Sequence, residues 1–109
     1  MRSAQSAADL ERALSQAQPL AEAQPERSEL QHLVGEIAYR ASRWRECAAA
    51  YRRAGAAGPA DPTQRFYMAV CLFESGDRAA AATLASSGLE ELPRTPFAES
   101  YLRRILARP

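Results

Sequence analysis

His32, Cys47 and Cys71 are the side chains of this 109-residue chain best suited to nucleophilic or metal chemistry. Nucleophilic catalysis needs a thiol or hydroxyl within hydrogen-bond reach of a base, and a structural zinc site needs paired ligands at short spacing. A lone histidine and two cysteines 24 residues apart fit neither pattern. In helical surroundings the cysteines read first as buried free thiols and second as a single disulfide. Gly55 and Gly58 flank Ala56-Ala57 ahead of Pro59, which is the ending of a helix and not a loop that cradles phosphates. The expectation is a chain with no catalytic residue, no metal ligand and no cofactor, and therefore no enzyme.

Arginines are the other groups that could act on a partner. Arg40, Arg43 and Arg45 surround one predicted turn, with Arg52-Arg53 further on. Only Trp44 and Tyr51 stand among them as aromatic platforms, and Glu36 and Glu46 offset part of the charge. The whole chain carries 14 basic against 13 acidic residues, a formal charge of +1, so no long-range field draws it to DNA or to an acidic membrane surface. Every basic residue is arginine, and lysine and asparagine are missing, which reads as codon bias from a GC-rich genome. Nucleic acid is not expected as a partner.

The elements that would position these groups are helical. Apolar residues make up 47% of the chain, but much of that is alanine, as in Ala48-Ala49-Ala50 and Ala79-Ala80-Ala81-Ala82, which favours helix and close helix approach over a thick aliphatic core. The longest apolar run, from Phe66 to Phe73, has eight residues, far short of the roughly 20 that cross a bilayer. No apolar stretch follows Arg2, so no signal peptide is read in the sequence as it stands. The expectation is one domain, cytoplasmic, without membrane insertion.

Punctuation recurs at a fixed interval. Asp61-Pro62 and Thr95-Pro96 lie 34 residues apart, and each is an N-cap residue followed by proline at the first helical position. Pro25, Pro59 and Pro93 keep the same interval of 34. Val34, Gly35, Ala38, Cys47, Tyr51 and Ala54 in one unit face Met68, Ala69, Leu72, Ala81, Ala85 and Gly88 in the next, all suited to the same packing roles. The spacing predicts helices over 3–18, 26–41, 43–56, 62–75, 77–92 and 96–107, with Pro19 ending the first. The segments are then 1–27, an N-terminal helix and connector; 28–61 and 62–95, two repeats; and 96–109, a capping helix. Leu10, Ala13, Leu14 and Ala17 match the second helix of a unit whose first helix is missing, which points to a homo-oligomer formed through the N-terminal helix or to a piece of a longer array.

Over about 70 residues, through Val34-Gly35, Tyr51, Ala54, Pro59 and the Ser75-Gly76-Asp77 turn, the chain resembles the tetratricopeptide repeat family. It departs from the family pattern at Gln31 and Arg65, where tryptophan is usual, and at Ala38 and Leu72, where tyrosine is usual. The resemblance implies an all-α solenoid of about six helices that binds a partner protein or peptide on its concave face. It also implies the lining of that face: Glu29, His32, Glu36, Tyr39 and Arg40 from one helix, then Thr63, Phe66, Val70, Phe73 and Glu74 from the next. Arg104 and Arg108 close the row, and Phe66, Val70 and Phe73 form an apolar stripe. His32, Glu36, Val70 and Ser100 stand where some members carry the lysines and asparagines of a carboxylate clamp, so that clamp is not implied.

Overall fold

A computed structural model describes residues 6–107 of the chain. Among them are six helices and no strands: α1 (Ala7–Ala23), α2 (Ser28–Arg40), α3 (Trp44–Ala54), α4 (Pro62–Glu74), α5 (Arg78–Ala85) and α6 (Pro96–Leu106). No helix among the described residues is long and apolar enough to cross a membrane.

Local chemistry starts most of these helices where the sequence places them. The Asp61 and Thr95 side chains accept from the backbone N–H of Gln64 and Ala98, and proline follows each cap. These bonds satisfy donors that the first turn leaves without an intrahelical partner. Ser28, Pro62 and Pro96 open α2, α4 and α6 at intervals of 34. The turns repeat too. Arg43 N–H donates to the Ala38 carbonyl at 2.8 Å and Asp77 N–H to the Leu72 carbonyl at 2.9 Å. The residue before each donor, Ser42 in one turn and Gly76 in the other, has a left-handed backbone, with φ of 58° and 102°. This is the Schellman ending of a helix, in which a left-handed residue turns the chain back along the helix it has just left.

Each helix packs on the next one in the chain, and α2, α4 and α6 also pack side by side. The backbones of α1, α3 and α5 do not come within 8 Å (Cα–Cα) of one another. One layer is therefore tight and the other splayed. Val34, Ala38, Cys47 and Tyr51 are buried in the first hairpin, as are Met68, Ala69, Leu72, Ala81 and Ala85 in the second.

Gln31 and Arg65, the two polar residues in the expected tryptophan places, tie helix ends together. Gln31 is fully buried; its Nε2 donates to the Ala21 carbonyl of α1 and its Oε1 accepts from Arg53 of α3, both at 3.0 Å. Arg65 donates to the carbonyls of Ala57 and Pro59 ahead of its helix and to those of Leu84 and Ser87 at the end of α5. An amide or guanidinium with every buried atom paired holds two chain segments without the cost of an orphaned polar group.

Three expectations are corrected. Helix α1 runs through Pro19 to Ala23, because that proline is exposed and the carbonyl it leaves unbonded can turn to water; residues 3–5 of the expected helix lie outside the described residues. Helix α5 stops at Ala85 instead of 92, since Arg65 takes the Leu84 and Ser87 carbonyls and Gly88 turns away at φ 80°. Cys47 and Cys71 are not free thiols. They form a disulfide between α3 and α4, with Cα atoms 6.0 Å apart, inside the range such a bridge requires. The bridge closes a loop 24 residues long across two hairpins, so it removes unfolded-state freedom worth about 3 kcal/mol. In urea titrations, the Cys47→Ala/Cys71→Ala variant should lose about that much stability while keeping its helical circular dichroism; unchanged stability would mean that the bridge does not form in solution.

Candidate functional site

Residues 34 apart on α2, α4 and α6 form a row, and the structure divides the expected lining between two clusters and the core. The first cluster joins three helices through polar groups. Arg40 donates to Glu36 at 2.9 Å, Glu36 accepts from Gln64 of α4 at 3.0 Å, and Gln64 accepts from the hydroxyl of Tyr51 of α3. Burial pushes the Glu36 carboxyl up, but its hydrogen bonds to Arg40 and Gln64 outweigh that and hold it below the ordinary glutamate value. His32 lies at the edge of this cluster, its ring 5.6 Å from that of Tyr51. Tyr39 stacks on Tyr67 at 4.1 Å, and burial, with Tyr67 beside it, pushes its phenol up to about 12. Glu29 stands apart, exposed and paired with Arg27.

The second cluster is aromatic and basic. Phe73 has two guanidinium groups over its ring, Arg78 at 5.1 Å and Arg104 at 5.3 Å, each within cation–π reach. Tyr101 packs edge-on against Phe73 and donates its hydroxyl to Glu74. Burial and that bond raise the phenol above its ordinary value. Arg104 in turn lies 3.8 Å from Glu74 and 4.7 Å from the centre of the Tyr101 ring. Beside these groups is a cleft of about 330 Å³ between α5 and α6, with Ala79, Ala82 and Ile105 on its walls.

The apolar stripe is where the expected lining fails. Phe66 is 4% exposed and Val70 fully buried, so neither faces a partner; Phe73 is half-buried. The cause lies on α6, whose Phe97 and Tyr101 rings pack edge-on against Phe66 at 6.2 and 6.4 Å. Phe97 is the accessible aromatic of the row, at 56% exposure. It was not expected there, although it stands 34 residues after Thr63, which was. Arg108 of the expected row lies outside the described residues.

The arginines around the turn between α2 and α3 are largely spent on acids of the same chain. Arg43 binds Glu11 and Glu46, Arg40 binds Glu36, and Arg52 binds Asp77. Trp44 packs edge-on against Tyr39 and is half-buried. No group of three or more His, Cys, Asp or Glu placed to hold a metal ion occurs among the described residues.

No protein-family model matches the chain, and neither does any curated protein or solved structure.

The two phenylalanines should separate under mutation. Phe66→Ala should cost about 3 to 5 kcal/mol, as deletion of a buried ring does, whereas Phe97→Ala should cost less than about 1 kcal/mol. Equal losses in denaturant titration would mean that the row is differently exposed in solution.

Proposed function

We propose that the chain is a solenoid of tetratricopeptide-like hairpins, α2–α3 and α4–α5, flanked by α1 and α6, and that it binds a segment of another protein on the face built by α2, α4 and α6. The observation that carries this reading is the asymmetry of the layers. Three helices pack side by side while the other three stand apart, which curves a stack and makes its tighter layer the concave one. Starts of helices, turn bonds and small residues that recur every 34 residues support the repeat.

A protein partner suits this face better than a small substrate. The face offers an exposed phenylalanine, Phe97, and the exposed cations Arg40 and Arg104 beside half-buried Tyr39 and Phe73. Aromatic anchors with arginine beside them are the usual centres of protein contacts. Nucleic acid fits less well, because the densest arginine cluster is neutralised within the chain. Catalysis is the weakest reading, with both sulfurs bonded to each other and His32 set against a tyrosine ring.

The disulfide bears on compartment. Buried bridges persist where thiols are kept oxidised, so the cytoplasmic expectation and Cys47–Cys71 pull in opposite directions, and the bridge favours an oxidising compartment for this fold.

Selection of peptides from a random display library on the immobilised protein tests the binding face. Phe97→Ser/Arg104→Ser should weaken the selected peptides at least about tenfold, with the melting temperature little changed. Peptides that bind the variant as tightly as the wild type would place the site elsewhere.

A further inference from the structure

Of the four large apolar side chains exposed among the described residues, Phe97 belongs to the inner row, and the other three lie at the two ends of the stack. Leu20 on α1 and Leu33 on α2 are 53% and 44% exposed at one end; Leu106 on α6 is 47% exposed at the other. The interval of 34 says what each side chain lacks. Leu33 corresponds to Tyr67 and Tyr101, which pack on Tyr39 and Phe73 of the preceding inner helix. Leu33 has no preceding inner helix among the described residues, so the α1–α2 edge is a seat for a helix of the α2, α4, α6 kind. Leu106 corresponds to Ala38 and Leu72, both buried within their hairpins. Helix α6 therefore lacks an outer helix of the α1, α3, α5 kind.

We propose that α6 of a second copy of this chain fills the α1–α2 edge, so that α6 of one molecule and α1 of the next complete a hairpin between them. This inference rests on the stacked-hairpin reading. Sizes across the joint are complementary. In the first hairpin, Gly35 admits the Tyr51 ring, and a Cβ there would stand 2.5 Å from it. The corresponding pair across the joint is Arg103 of α6 and Ala17 of α1, so the large residue has moved to the inner helix and the small one to the outer. Charges are complementary as well. Helix α1 carries Asp9, Glu11 and Glu22 against Arg12, while α6 carries Arg103 and Arg104 against Glu99. A head-to-tail contact of this kind uses a different surface on each copy and builds open runs or rings.

Two variants disable one end each. Leu20→Glu/Leu33→Glu spoils the α1–α2 edge, and Arg103→Glu/Leu106→Glu spoils α6. Leu20, Leu33, Arg103 and Leu106 are all exposed, so both variants should keep wild-type helical circular dichroism and hydrogen-exchange protection. Mass is followed by sedimentation velocity up to about 1 mM, since a contact of one helix lies at the weak end of specific interfaces. The wild type should grow beyond a dimer, each variant alone should stay at the 11.9 kDa of one chain, and their equimolar mixture should reach twice that mass and no more. A monomeric wild type, self-association of either variant alone, or a mixture that stays monomeric would overturn the head-to-tail contact. Helix protection does not depend on concentration, so a monomer with six protected helices would overturn the contact while leaving the hairpin reading in place.

Discussion

The ring of Tyr51 lies against the backbone of Gly35, where even a methyl group would come within 2.5 Å of it. Because α2 has no side chain there, α3 can bring a fully buried tyrosine into the seam between them. The hydroxyl of that tyrosine then reaches across to Gln64 of α4, and Gln64 reaches back to Glu36 of α2. One close approach thus sets the spacing within the first hairpin, the position of the second against it, and the orientation of two residues on the inner face.

The second hairpin solves the same problem with smaller residues. Ala69, Ala81 and Ala85 occupy the corresponding seam, and α5 has only eight residues. Alanine allows close approach but fills little space, and a cleft of about 390 Å³ remains between α3 and α5 over Met68, Leu72 and Leu84. What the outer layer lacks in packing is made up by specific ties. The Cys47–Cys71 bridge joins α3 to α4, Arg65 holds the end of α5, and Arg52 reaches Asp77 at its start. The inner layer needs no such ties, since its helices touch through rings, Tyr39 on Tyr67 and Phe73 on Tyr101. A stack that is tight on its inner side and tied on its outer side can hold a curved face steady for a partner.

Features set by a few neighbouring residues were legible in the sequence. The Asp61-Pro62 and Thr95-Pro96 starts and the Ser75-Gly76-Asp77 turn stand where local chemistry puts them. Features that depend on distant residues were not. The early end of α5 is caused by Arg65, 19 residues before Leu84 along the chain, and no periodicity within α5 reports it. Phe66 has the spacing of an inner-face residue, but Phe97 and Tyr101 of another helix cover it. The disulfide was an open alternative, because a separation of 24 residues says nothing of whether two helical faces meet. Glu36 and Arg40 were legible as lining residues, yet their shared bond, and the one from Gln64, emerge only when α2 and α4 lie side by side.

Gly35→Ala, measured by urea denaturation, sets two physical effects against each other. Helix propensity alone favours alanine over glycine in the middle of α2 by about 1 kcal/mol. If the seam against Tyr51 governs the fold, the added methyl overpacks it by about 2 to 3 kcal/mol, and the variant is less stable by about 1 to 2 kcal/mol. A variant more stable than the wild type would show that α2 and α3 do not meet at Gly35 and Tyr51, and would contradict the account of how the inner face is positioned.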